Sequence, residues 1–293
     1  MILLTGATGL VGSALLRRLT DAGQPVRCLV RDSRRLGLER VRVQIALGDL
    51  ADPASFRNAL RGVDTVIHLA ASIRDQEKGS IEELNAMATL RLVRAAERAG
   101  AKRFVFFSAL NASLNARPRF FRAKALAERA VAESPLETTI FAPSIVYAPY
   151  DPYLRILERL SWLPAMPLAG NGETLYQPIW AEDVADGVMA ALSNKRAEPE
   201  RIELAGPDVL SYDAITELAL HSFGRRRPLL HLPLPVTRRI LRGLERIAAP
   251  GHAFATWDEA ELMSVSMTSA KGTAGAEELG VSPLSMRAVL GAS

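Results

Sequence analysis

Gly6-Ala7-Thr8-Gly9-Leu10-Val11-Gly12 is the segment whose residue types and spacing point most directly to chemistry. It lies between a short apolar run and a helical pattern, which suits a turn that grips a diphosphate. Gly6 and Gly9 let the chain turn tightly and let backbone approach a pyrophosphate where a Cβ would collide. Gly12 lets helix and strand pack closely. Unpaired N–H groups around Thr8, Leu10 and Val11, with the positive end of the helix dipole, then face the phosphates. A glycine triplet also fits a ligand-free turn, and it is the position at the head of an alternating domain that favours a nucleotide. Arg31 ends the next apolar run and offers a guanidinium to the 2′-phosphate of NADP(H), with Arg34 and Arg35 close behind. Asp32 is the competing reading, an acid for the free 2′-hydroxyl of NAD(H). NADP(H) is preferred and NAD(H) stays open. Asp49-Leu50, after the third apolar run, is placed to meet the adenine.

Other reactive side chains are more ambiguous. Tyr147 follows the sixth apolar run, at the edge where open α/β sheets bind ligands, and reads either as a replacement phenol or as packing. Asn111, Ser113 and Tyr150 are candidates to line a pocket. His68 reads as a proton shuttle or as a satisfied buried histidine. His221, His231 and His252 lack the spacing to acids or cysteines that a metal needs, and Cys28 is the single cysteine, so neither a metal site nor an internal disulfide is expected.

The elements that must position these groups alternate. Strands are expected at Ile2–Leu4, Val26–Val30, Val41–Ala46, Thr65–Leu69, Phe104–Phe107 and Thr138–Phe141. Helices are expected at Ser13–Ala22, from Asp52-Pro53 through Leu60, at Ile81–Ala99 and at Ala116–Ser134. Buried-type strands alternating with helices predict a Rossmann-type α/β fold, a doubly wound parallel sheet covered on both faces. Residues 1–145 then form the dinucleotide-binding domain. Residues 146–293 form a smaller, mixed C-terminal lobe for substrate, with 182–204 returning to the sheet. Ser211 is expected to cap a helix through Phe223.

The chain has 293 residues, 48% hydrophobic and 23% charged, with net charge +4, which excludes wholesale disorder and gives no reason to expect nucleic acid as a partner. The first residues carry neither a basic n-region nor a long apolar h-region, and no run is long enough to span a bilayer, so a cytoplasmic location is expected. One segment departs from the neutral background. Residues 236–247 interleave Arg238, Arg239, Arg242 and Arg246 with Ile240, Leu241, Leu244 and Ile247. It reads either as a helix of the small lobe, apolar face inward and arginines solvated, or as a peripheral helix on a membrane or partner.

Taken with Gly48-Asp49-Leu50, His68-Leu69-Ala70-Ala71, Phe107-Ser108-Ala109, Lys124, Pro143-Ser144 and the segment from Gln177 to Ala185, the chain resembles the extended and atypical short-chain dehydrogenase/reductase superfamily. It looks most like the atypical subgroup related to the nucleotide-binding accessory subunit of respiratory complex I. The resemblance implies a bound nicotinamide dinucleotide, with Leu69, Ala70, Ala71, Lys124 and Pro143 beside it. It also implies a Tyr-x-x-x-Lys pair in which lysine holds the ribose and tyrosine moves the proton. Here the pair reads Phe120 and Lys124, the serine position holds Ala109 with Ser108 one residue earlier, and Ala142 precedes Pro143-Ser144. The catalytic candidates are therefore Lys124, Ser108 and Tyr147. Three functions follow as expectations. The first is an NADPH-dependent oxidoreductase of a small enone- or quinone-like substrate. The second is a non-catalytic dinucleotide-binding sensor or assembly protein. The third is a sugar-nucleotide epimerase or dehydratase, which most needs the missing tyrosine.

Overall fold

The computed structural model describes residues 1–149, 151–193, 200–247 and 253–291, so Tyr150 and His252 lie outside the described residues. Six strands form in chain order: β1 Ile2–Thr5, β2 Val26–Val30, β3 Gln44–Leu47, β4 Thr65–His68, β5 Arg103–Phe107 and β6 Glu137–Pro143. Together with Glu200–Leu204 they make one seven-stranded sheet, ordered Glu200–Leu204, β6, β5, β4, β1, β2, β3. Every neighbouring pair is parallel. The chain winds outward from β1 through β2 to β3, then restarts on the other side with β4. The order therefore reverses between β1 and β4, where a crevice opens at the strand ends. The expected doubly wound sheet is the one that forms.

Strand alternation divides the core into two layers. Leu4, Ile67, Val105 and Phe107 face α1 (Leu10–Asp21) together with Val184 and Val188. Leu3, Val66, Phe104 and Phe106 face the opposite layer with Phe56, Leu92, Val93 and Val131. That second layer is built from α2 (Pro53–Phe56), α3 (Ala88–Arg98) and α4 (Arg119–Ala132). After α5 (Pro152–Leu160), α6 (Ala181–Ser193) closes against α1, with Arg18 Nε donating to Asp186 at 2.6 Å.

Some boundaries move for local reasons. The third strand begins at Gln44 rather than Val41, because Ser33–Val41 winds into 3₁₀ turns that break at Gly37 and are capped by Asp32. The first helix starts at Leu10, three residues earlier than its apolar spacing suggests. The fourth starts at Arg119, because Pro118 is extended and serves as its N-cap. The long third helix contains one wide turn at Glu83–Met87.

The C-terminal half packs Tyr147, Leu154, Met166, Tyr176, Tyr212 and Ile215 into a further core cluster that also takes in Ala109, Leu110 and Phe121. It holds α7 (Tyr212–Ser222), whose N-cap Ser211 accepts from Ala214 N, then α8 (Leu234–Ile247) and α9 (Trp257–Leu262). Met166–Ala169 pairs in parallel with Leu229–Leu232. Contrary to the expected inward apolar face, residues 236–247 keep most of their aliphatic side chains at the surface. Of α8 only Thr237 is fully buried, while Val236, Ile240, Leu244 and Ile247 are exposed. Among the described residues no helix is long and apolar enough to cross a membrane, and no group of three or more His, Cys, Asp or Glu is arranged to hold a metal.

Candidate functional site

The turn between β1 and α1 is shaped by close backbone approach. Gly6 has φ +74°, and a Cβ there would lie 2.6 Å from Ala70 N, so the turn and the end of β4 touch backbone to backbone. A Cβ on Gly12 would lie 2.0 Å from the Gly6 carbonyl oxygen, so the first turn of α1 rests directly on the loop. Gly9 differs, because a Cβ there meets only the Gly6 oxygen, at 3.3 Å, and would otherwise fill the crevice. Gly9 is also the N-cap of α1, with no side-chain cap and no acid in the first turn, so the first N–H groups of the helix stay available to an anion. The crevice has a volume of about 310 Å³, and its walls include Gly6, Thr8, Gly9, Arg31, Asp49, Leu50, Leu69, Ala70 and Ala71. Leu10 and Val11 begin α1 and are half-buried, Val11 against the core beneath.

At the far end of the crevice the charges sort themselves. Asp32 accepts from the Arg34 backbone N–H and side chain at 3.0 Å, and that guanidinium holds its carboxyl below the usual range. Arg31 and Arg35 both line the crevice. Arg31 Nη1 donates to Gln76 Oε1 at 3.1 Å, and Gln76 Nε2 donates to Ser72 Oγ at 3.0 Å. Asp49 Oδ1 accepts from Ala51 N at 3.0 Å, whereas Oδ2 is buried without a hydrogen bond, the Lys78 ammonium lying 3.4 Å off. A buried carboxylate oxygen that is ion-paired but accepts no hydrogen bond keeps acceptor capacity facing the crevice. The residues present thus fit a dinucleotide: glycine backbone for the diphosphate, Asp49 for an adenine amino group, Arg31 and Arg35 for a ribose phosphate.

The loop after β4 is held by residues the sequence reading passed over. Asn85 accepts from Ser72 N at 3.1 Å and donates to the Ser72 carbonyl at 2.8 Å. Ser72, Gln76 and Leu84 join the crevice wall. His68 is a buried tie rather than a shuttle, with Nδ1 2.7 Å from Thr5 Oγ1 and Nε2 3.0 Å from Thr89 Oγ1. Because Thr89 Oγ1 already donates to the Asn85 carbonyl, the proton of His68 belongs on Nε2, leaving Nδ1 to accept from Thr5. Burial lowers the imidazole to about 3, so it stays neutral. From outside, Arg74 pairs with Glu259 of α9, and Arg119 of α4 donates to Asp75 at 3.0 Å and to Glu82 at 2.6 Å, which ties the loop to α9 and to α4. The signal for Asn85 and Thr89 was present in the sequence, as polar side chains one turn apart on the apolar face of a helix.

The proton-transfer end looks different. Lys124 is buried, its Nζ donating to the Phe107 carbonyl at 2.6 Å and standing 4.9 Å from the Phe106 ring centroid. Burial lowers its ammonium from 10.5 to about 7. Phe120, one turn earlier, brings a ring to within 5.7 Å of that ammonium and no exchangeable proton. Ser108 Oγ is buried without a hydrogen-bond partner. Tyr147 is buried in the core of the smaller lobe, its hydroxyl unpartnered and its phenol pushed up by burial. Neither Lys124, Ser108, Tyr147 nor Pro143 belongs to the glycine-turn crevice wall, and the Pro143 carbonyl accepts from Leu110 N at 3.0 Å. Asn111 donates to the Ser266 carbonyl, and Ser113 Oγ accepts from Asn115 N. His231 pairs with Asp213 at 2.9 Å.

With this geometry in view, similarity to known proteins is informative. A family model described as NAD(P)H-binding matches residues 6–195. The chain is 27% identical over 287 residues to the rat mitochondrial protein NADH dehydrogenase [ubiquinone] 1 alpha subcomplex subunit 9, covering 95% of this chain and 75% of that one. It is 28% identical over 245 residues to the NAD(P)H azoreductase of Xenophilus azovorans, covering 83% and 81% respectively. Among solved structures, MoeE5 in complex with UDP-glucuronic acid and NAD superposes with a TM-score of 0.72 at 19% identity, covering 100% of this chain and 97% of that one. At that identity the likeness concerns the fold.

Proposed function

The chain belongs to the NAD(P)H-binding family whose model spans residues 6–195, and from that premise we propose that it holds NADP(H) as a bound structural part, serving as a sensor or assembly protein. The observation that carries this reading is the contrast between the two ends of the site. The glycine-turn crevice offers free helix N–H groups, two arginines and an Asp49 Oδ2 that accepts no hydrogen bond, while Phe120 stands where the resemblance places a proton-donating phenol. Gly6, Thr8 and Gly9 would hold the diphosphate, Asp49 the adenine, and Arg31 with Arg35 the 2′-phosphate. The preference for NADP(H) over NAD(H) rests on those arginines and on Asp32 being engaged by Arg34. When bound, the nicotinamide supplies or accepts a hydride. With Phe120 one turn before Lys124, the pair among the described residues has no phenol to deliver a proton to a carbonyl oxygen. Likeness to a subunit of an NADH dehydrogenase accords with service as a part of a larger assembly.

Thermal unfolding with NADPH and with NADH tests this reading. Binding is expected to raise stability by about 2.7 kcal/mol at a hundredfold excess over Kd, and NADPH is expected to remain reduced in the presence of enones, quinones and aldehydes. Turnover that disappears in a Lys124→Ala variant still able to bind NADPH would overturn it.

A second reading has its own observation. The Lys124 ammonium, lowered to about 7, is a titratable group near neutrality, and the azoreductase likeness points the same way. In this reading the protein reduces a small enone- or quinone-like acceptor and solvent supplies the proton at carbon. A sugar-nucleotide epimerase ranks behind both, because its base would be the absent tyrosine.

A further inference from the structure

We propose that α8 is an interfacial helix that seats this protein on an anionic phospholipid surface. The helix divides into three strips. Leu234, Thr237, Leu241 and Glu245 turn toward the lobe, where Glu245 Oε1 accepts from Trp257 N at 2.5 Å. Val236, Ile240, Leu244 and Ile247, one turn apart along the flank beside that strip, are 43%, 49%, 47% and 88% exposed. Gly243 lies in the same strip, and a Cβ built there meets nothing within 4 Å, so at that point none of the described residues covers the face. Arg239 and Arg246 are exposed along its border.

Leu234 and Leu241 turn inward, yet four further aliphatic side chains stay at the surface, where an ordinary packed helix would bury them. The helix carries four arginines and one acid, and that acid, Glu245, is engaged with Trp257 and with Arg242 at 3.8 Å. An apolar strip bordered by unopposed positive charge complements a surface that is apolar within and negative at its boundary, as an anionic bilayer is. A second copy of this helix complements it poorly, since it presents arginines and no free acid. Arg225 and Arg227 do not contribute, because they are tied to Trp162 and Ser161.

The test is co-sedimentation of the full chain with phosphatidylcholine vesicles carrying about one-third phosphatidylglycerol, against phosphatidylcholine alone, at low and high salt. The wild-type protein is expected to partition onto the anionic vesicles and to be released by salt. The double variants Ile240→Ser/Leu244→Ser and Arg239→Gln/Arg246→Gln are each expected to lower the partition coefficient about tenfold or more without changing Tm, because the altered side chains are exposed. An environment-sensitive dye on Leu244→Cys is expected to shift to the blue on anionic vesicles only; Cys28 is buried and does not compete for label. Equal partition of the double variants, or no wild-type binding at low salt, would overturn the proposal. So would a wild-type dimer that Ile240→Ser/Leu244→Ser converts to monomer, since a second copy would then be the occupant.

Discussion

Lys124 stands one helical turn beyond Phe120, with its ammonium 5.7 Å from the Phe120 ring centroid and 2.6 Å from the Phe107 carbonyl oxygen to which it donates. The pair keeps the spacing of a proton-transfer couple and lacks its proton. A buried cation facing one carbonyl and two aromatic rings is costly to keep charged, and this has consequences for stability.

Stability should rise with pH through the window set by Lys124. Its folded value, about 7, lies below the 10.5 of an exposed lysine, so between these values the unfolded chain binds more protons than the folded one. The contribution is fully present above the unfolded value and is lost as pH falls through the folded one. Denaturant melts of wild type and Lys124→Met, compared across that window, should give a difference that shifts in favour of wild type by at most about 1.4 kcal/mol per pH unit. A difference that does not change with pH would show that the ammonium is better solvated than its surroundings imply.

Two glycines of the same turn should respond in opposite ways to one methyl group. Gly12→Ala places a Cβ 2.0 Å from the Gly6 carbonyl oxygen, with backbone on both sides of the clash, and should destabilise the fold by several kcal/mol (about 1–3 for overpacking, more where backbone must move). Gly9→Ala meets only one oxygen, at 3.3 Å, and should fold with nearly wild-type Tm while losing NADPH affinity. Thermal melts with and without nucleotide separate the two outcomes.

Much of this was legible in the sequence for reasons these variants expose. Gly6 and Gly12 announce themselves because backbone contact admits no substitute, Gly9 because a side chain there would fill the crevice, and the inner strands because both faces are buried, unlike the exposed edge strand β3. Asn85 and His68 were harder to read, since a polar residue on an apolar face signals burial without naming its partner. Thr89 and Ser72 are brought to them only by the fold. The 236–247 helix was misjudged because amphipathic spacing gives the division between faces and not which face turns inward. That is set by Trp257 and the loop around Gly170, distant in sequence.

Nucleotide selectivity should divide between Arg31 and Asp49. Arg31→Ala removes a crevice guanidinium whose present partner is the neutral Gln76 side chain, so NADPH affinity should fall about tenfold, near 1.4 kcal/mol, with NADH little affected. Asp49→Ala should weaken both coenzymes alike. It should also abolish any preference for the adenine dinucleotide over its hypoxanthine analogue, which lacks the amino group that Oδ2 would accept from. Fluorescence titration with all three nucleotides measures the pattern, and a uniform loss in both variants would mean a general effect on the crevice.

Phe120→Tyr restores a phenol one turn from Lys124, where the neighbouring ammonium favours the phenolate and so eases proton exchange. A positioned acid–base group contributes about 10²–10⁴-fold, so NADPH-dependent reduction of simple aldehydes and ketones should emerge from background in this variant. The gain should stay at the lower end of that range, because Ala109 occupies the orienting serine's position and Ser108 Oγ is buried without a partner. Adding Ala109→Ser should raise the rate further if the hydroxyl reaches the substrate oxygen. Initial rates for the single and double variants, measured beside NADPH binding, give the answer. Binding without turnover in both would mean that no carbonyl reaches the nicotinamide, and it would favour the bound dinucleotide as a structural part over its use as a hydride donor.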